Sequence, residues 1–94
     1  MHFVYIIYSI SINRYYVGET AHLEGRIQQH NQGLYENAST KTASDWELFL
    51  SIECVRRTQA LKLERFIKKQ KSRKFIEKLK AQPQVVNSIL NKFE

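Results

Sequence analysis

Apolar residues fall into short runs whose period changes along the chain. Residues 2–9, HFVYIIYS, are dense in aromatic and β-branched side chains and predict a strand. After the turn-like Ser11-Ile12-Asn13, residues 14–19, RYYVGE, predict a second, so 2–19 reads as an antiparallel hairpin. Residues 21–31 switch to helical spacing, with Thr20 as candidate N-cap and Gly33 as stop signal. The small polar stretch 33–45, GLYENASTKTASD, predicts a loop. Residues 46–55, WELFLSIECV, predict a third strand, its partial alternation placing Trp46, Leu48, Leu50 and Ile52 on one face. Thr58 is a candidate cap for a helix over 59–70 and Ser72 for one over 73–81, and Pro83 suits the first turn of a helix over 83–92. The expected fold is α+β in the order β-β-α-β-α-α-α: a three-stranded sheet with an antiparallel N-terminal hairpin and helices packed on it. Without a repeat, a low-complexity run or a linker, residues 1–94 form a single domain.

Composition narrows the class. At 43% hydrophobic and 26% charged, with 3 Gly and 1 Pro, the chain is globular and neither disordered nor fibrous. The single cysteine, Cys54, excludes an intrachain disulfide and a Cys-based zinc site, fits a reducing compartment, and sits in an apolar run as a small hydrophobe would. The apolar stretch MHFVYIIYSISIN lacks a basic start and is too short to span a bilayer, so neither a secretory signal nor a membrane contact is expected and a cytoplasmic location follows.

Charge adds a direction. The net +6 is split unevenly: residues 1–55 carry −3, whereas 56–80 carry eleven Lys and Arg against Glu64 and Glu77, a net +9. A dense basic segment on a folded domain either binds a polyanion, nucleic acid first, or is a solvated helix face.

Several residues depart from a plain core. Leu23, Arg26, Ile27 and His30 recur at i, i+3, i+4 and i+7, so an arginine and a histidine share the face that turns toward the sheet. Arginine is almost never fully buried unpaired; Arg26 and His30 either border a cleft or are a snorkelling cation and a hydrogen-bonded core imidazole. On the second helix, Ala60, Leu63, Phe66, Ile67 and Gln70 form the inner stripe, and Glu64 stands beside it. That carboxylate is either a metal ligand or half of an i,i+4 ion pair with Lys68, worth ~0.3–0.5 kcal/mol. Tyr5 and Tyr16 sit on neighbouring strands and can share a side. Gly18, within a strand, marks a place where another chain or ligand approaches the backbone.

Val4-Tyr5-Ile6, then Tyr16-Val17-Gly18, then Arg26 and His30, then Glu64 on a later helix, together resemble the GIY-YIG nuclease superfamily. The stretches YYVGETAHLEGRIQQHNQG and QALKLERFIKKQKSRKF carry the likeness, which covers about residues 2–80 and points to short stand-alone members, relatives of the catalytic domains of excision-repair and branched-structure nucleases. Each half of the motif is common by chance; five positions in order on the expected elements are far more specific. Phe3 stands where the family name has glycine, Glu19 follows Gly18 where a basic or small polar residue is frequent, and Gly25 interrupts the first helix.

The resemblance implies a metal-dependent endonuclease that hydrolyses DNA phosphodiesters. It implies Tyr5, Tyr16, Arg26, His30 and Glu64 as catalytic residues, with Glu64 ligating one Mg²⁺ or Mn²⁺ that keeps most of its waters. Tyr5 would be the general base toward water, Arg26 the clamp on phosphate oxygens, His30 the acceptor or orienter of the Tyr5 proton, and Tyr16 a hydrogen-bonding partner of the phosphate. Gly18 would admit the nucleic acid. Lys68, Lys69, Lys71, Arg73 and Lys74 would track its backbone, with Lys41 adding a contact from the loop. Branched, nicked or flapped DNA is expected ahead of a sequence-defined site. Two rivals remain at this stage: a non-catalytic nucleic-acid-binding domain of the same fold, and a module whose basic helix binds an acidic protein.

Overall fold

A strand with apolar neighbours on both sides should be apolar on both faces, and that is how the first run is used. In the computed structural model, which describes residues 1–34 and 40–94, a three-stranded antiparallel sheet has the order β2-β1-β3. The strands are β1 (His2–Ser9), β2 (Arg14–Thr20) and β3 (Trp46–Cys54); the helices are α1 (Leu23–Gln32), α2 (Arg57–Gln70), α3 (Arg73–Ala81) and α4 (Pro83–Lys92). The order β-β-α-β-α-α-α is thus the one expected. The centre of the 33–45 loop, residues 35–39, lies outside the described residues.

β1 is the central strand, and Val4, Tyr5, Ile6 and Ile7 are all wholly buried. Burial on both faces explains its unbroken apolar run. On one side Tyr5, Ile7 and Trp46 pack with Leu23 and Ile27 of α1 and with Tyr16. On the other, Val4, Ile6, Val17, Ile52 and Cys54 pack with Ala60, Leu63 and Ile67 of α2, Leu79 of α3 and Ile89 of α4. The sheet therefore separates α1 from the other three helices.

β3 departs from simple alternation. Its register against β1 slips between Ile6, opposite Leu50, and Ile7, opposite Leu48, which leaves Phe49 as the extra residue of a bulge. A bulge inverts which face each later residue takes. Trp46 accordingly packs on the α1 side, while Leu50, Ile52 and Cys54 join the opposite layer. The single apolar face expected for Trp46, Leu48, Leu50 and Ile52 does not exist, and Leu48 is exposed.

Capping follows the sequence in part. Ser72 caps α3 by accepting from the Phe75 amide at 3.1 Å, Pro83 opens α4, and Gly33 ends α1 in the left-handed conformation. Thr20 instead accepts from the His22 amide at 3.0 Å, two residues on, so the chain turns before α1 begins. Thr58 lies inside α2, which starts at Arg57. Gln70 is exposed, its amide returned to the Phe66 carbonyl, and Gln59 takes the inner position by bonding the Val55 amide and the Leu90 carbonyl.

Polar clamps fix the elements around the site. Asn31, near the end of α1, both accepts from the Trp46 amide at 2.6 Å and donates to the Trp46 carbonyl at 2.9 Å, locking α1 to β3. Asp45 accepts from the Ser9 hydroxyl and the Ser11 amide, tying the start of β3 to the β1–β2 turn. Arg73 donates to the Asn13 carbonyl and side chain, fastening α3 to that same turn.

Lys71, which ends α2, adopts φ 49°, a left-handed conformation that costs a residue with a Cβ about 1 kcal/mol. Lys71→Gly should raise stability by roughly 0.5–1 kcal/mol, read as an increased urea midpoint at unchanged slope. A lowered midpoint would mean that the Lys71 side chain holds the α2–α3 corner together.

Candidate active site

A tyrosine hydroxyl in the middle of a strand buried on both faces must find a partner inside the protein. Tyr5 is wholly buried, and its hydroxyl lies 2.8 Å from Nε2 of His30. His30, itself 1% exposed, reaches Oγ1 of Thr40 through Nδ1 at 3.0 Å. The Thr40 carbonyl accepts from the Trp46 indole at 3.0 Å. A neutral imidazole has one donor and one acceptor nitrogen, so two pairings satisfy the chain. Tyr5 O–H donates to Nε2 while Nδ1–H donates to Thr40, or Thr40 O–H donates to Nδ1 while Nε2–H donates to the Tyr5 oxygen. Burial, and secondarily the charge of Arg26, pushes the His30 pKa down to about 4, which keeps the ring neutral.

The hairpin register pairs Tyr5 with Gly18 and Ile7 with Tyr16, so both phenols lie on the α1 side. The Tyr5 and Tyr16 rings are 6.3 Å apart, and Tyr16 is 5.1 Å from the His30 ring. Unlike Tyr5, Tyr16 is only half-buried, on an edge strand. The absence of a side chain at Gly18 is required by Tyr5: a Cβ there would stand 2.5 Å from the phenol oxygen and 2.6 Å from the ring carbon bearing it.

Arg26, half-buried on α1, donates from Nη1 to the Glu19 carbonyl at 3.5 Å, which sets it beside β2 next to Gly18. Glu19 pairs with Val4 and turns to the other face, with His2 at 3.6 Å and Arg57 at 4.0 Å from its carboxylate. The acid that departs from the family pattern thus points away from the two phenols.

Glu64 arrives from α2, across the sheet from α1. It joins the phenol cluster around the outer edge of β2 through Lys68, whose Nζ is 2.9 Å from the Glu64 carboxylate and 5.6 Å from the centre of the Tyr16 ring. The i,i+4 ion pair foreseen as the bland alternative is therefore present, and the same lysine links the acid to the tyrosines. Glu64, Lys68, Lys69 and Lys71 line a surface groove of about 320 Å³ with Leu61 and Arg65. Lys74 and Lys41 are exposed, whereas Arg73 is committed to Asn13 and lies over the Tyr15 ring. Cys54 is buried and plays no part here; burial pushes its thiol pKa up.

Among the described residues no group of three or more His, Cys, Asp or Glu is arranged to hold a metal ion. A cation on Glu64 would have that one carboxylate from the protein and complete its shell from water and phosphate. This donor set suits Mg²⁺, which sheds water reluctantly, and does not suit zinc. Thr40 escaped the sequence reading because it lies in a polar loop with no periodicity, and no local pattern pairs it with His30 ten positions earlier.

Two measurements test the cluster. Gly18→Ala should cost about 1–3 kcal/mol in urea unfolding, because the added methyl must displace a wholly buried phenol; unchanged stability would show that the ring gives way freely. For His30, the folded pKa lies below the ordinary value, so the unfolded chain takes up the proton first. The stability His30 confers is complete above pH 6.5 and falls by about 3 kcal/mol as pH drops toward 4. Asp45, held below the usual carboxylate range by the Ser9 hydroxyl and the Ser11 amide, contributes stability that is lost as pH falls through the carboxylate range, largely below the His30 window. A His30→Gln variant should flatten stability between pH 4 and 6.5, and an equal slope in both proteins would contradict the assignment.

Among the described residues no helix is long and apolar enough to cross a membrane. Comparison with curated proteins and with solved structures gave no match. The family described as the GIY-YIG catalytic domain matches residues 1–80, the stretch from β1 through most of α3 that holds every residue of the cluster. The chain belongs to the GIY-YIG family, endonucleases that act on nucleic acid and generally use divalent metal ions.

Proposed function

We propose that the protein is a Mg²⁺- or Mn²⁺-dependent endonuclease that hydrolyses DNA phosphodiesters and selects its substrate by shape. One observation carries this reading. At the outer edge of β2, the half-buried Tyr16 ring is shared by a hydrogen-bonded Tyr5–His30–Thr40 chain behind it and by the Lys68–Glu64 pair in front.

Hydrolysis needs an activated water, stabilised phosphorane charge and a held substrate. When bound, a divalent cation on Glu64 would supply Lewis acidity to the phosphate oxygens. Burial divides the two phenols: Tyr5 is enclosed, so Tyr16 is the better station for taking a proton from water, which it does as a phenolate once its own hydroxyl proton has passed to bulk solvent. Tyr5 then acts from behind, its hydroxyl fixed by a neutral His30 that can either accept from it or donate to it. This moves the water-facing role from Tyr5, to which the resemblance assigned it, to its neighbour. Arg26, at the border of the α1 face, offers a planar fork of donors to the non-bridging oxygens, where charge grows in the transition state.

Arg65, Lys68, Lys69 and Lys71 along the groove, with Lys74 beyond it, supply contacts to a phosphate backbone. Exposed ammonium groups on helices position a backbone without reading bases, so affinity is salt-dependent and discrimination falls to the shape of the nucleic acid. Branched, nicked or flapped DNA fits this better than a defined sequence.

The test is nicking of supercoiled plasmid with Mg²⁺, Mn²⁺ or chelator, followed by flap and four-way-junction substrates. Glu64→Gln and Tyr16→Phe should each lower the rate by about 10²–10⁴ with unchanged circular dichroism. Tyr5→Phe should retain more activity than Tyr16→Phe, and the reverse order would return the water to Tyr5. Undiminished Mg²⁺-dependent nicking by Glu64→Gln would remove the proposal.

A further inference from the structure

The Glu64 carboxylate already has a cation on it. Lys68 Nζ sits 2.9 Å from its Oε2 on the i,i+4 turn, and the Glu64 side chain is 17% exposed against 49% for Lys68. The acid is held in place while the base has room to leave. Apart from this pair and Leu61 the groove is lined by cations, Arg65, Lys69 and Lys71. A divalent ion approaching Glu64 therefore meets an ammonium group at the ligand it needs.

We propose that Lys68 is a placeholder for the divalent cation, a positioning residue that makes metal loading depend on nucleic acid. This rests on Glu64 being the cation ligand. Without substrate, the ammonium neutralises Glu64, holds its carboxylate toward Tyr16 and competes with the metal. A phosphate entering the groove offers Lys68 a second anionic partner, and its four-carbon stem lets it swing there. Glu64 is then released at the moment when phosphate oxygens are available to complete the metal's shell, and Lys68 becomes a substrate contact. Metal and nucleic acid binding are thereby coupled, and the coupling is reciprocal by linkage. The position of Nζ over Tyr16 gives the swing a definite start, because leaving Glu64 also uncovers the face of the phenol assigned to water.

The measurement is Mn²⁺ affinity of the intact protein, followed by the electron paramagnetic resonance signal of free Mn²⁺, with and without a non-cleavable phosphorothioate duplex. Without DNA, Lys68→Met should bind Mn²⁺ about tenfold more tightly than the native protein, as expected when one like charge is removed beside a ligand. Lys68→Gln should do the same, which guards against a packing effect of Met. With DNA, affinity should rise in all three proteins because phosphate oxygens join the shell, but the native protein should gain severalfold more than either variant, and an equal gain in all three would overturn the coupling. Mn²⁺ binding that is lost in Glu64→Gln but equal or weaker in both Lys68 variants would overturn the placeholder role and leave the metal site standing. Mn²⁺ binding that ignores Glu64→Gln would remove the metal assignment and this inference together.

Discussion

Everything at the site depends on burying β1 on both faces. A two-sided strand must be apolar at nearly every position, and this one places Val4, Ile6 and Ile7 accordingly. Within that run Tyr5 is the exception, since its ring satisfies the core while its hydroxyl does not. Leaving that hydroxyl unpaired would cost about 1–3 kcal/mol. The fold resolves the debt with a buried histidine from α1, a threonine from the following loop and a glycine opposite. The constraint that stabilises the core thus also assembles the polar chain of the candidate site.

The second consequence is asymmetry across the sheet. The phenols, Arg26 and His30 belong to the α1 side, while Glu64 belongs to the layer formed by α2, α3 and α4. Two layers can share one site only around an edge strand, and β2 is such an edge. Lys68 spans it. Placing the site there leaves it open to a long polymer, which a pocket buried between layers would exclude. Through Lys68 the same border also meets the groove lined by Arg65, Lys69 and Lys71.

Rigidity around the site comes from side chains with no chemistry of their own. Asn31 holds the His30 end of α1 against Trp46, Asp45 fixes the start of β3 to the hairpin turn, and Arg73 ties that turn to α3. Each is a charged or bidentate hydrogen bond between elements distant in sequence, which resists small shifts better than apolar contact alone. Arg73, from the basic stretch, fastens the fold through Asn13 while remaining exposed.

By itself the sequence determined what depends on period and local chemistry: the order of seven elements, the Ser72 cap, Pro83 and Gly33 at helix ends, the inward face of Leu23, Arg26, Ile27 and His30, and the sharing of one side by Tyr5 and Tyr16. These follow from spacing and backbone preference, which act over a few residues. Tertiary structure alone decided the bulge at Phe49, because a register slip is set by the neighbouring strand. It alone decided that Gly18 makes room for Tyr5, that Thr40 completes the histidine chain, and that Lys68 links Glu64 to Tyr16 around the sheet edge. Each of these is a contact between elements far apart in the chain, and no local pattern encodes the distance across a sheet.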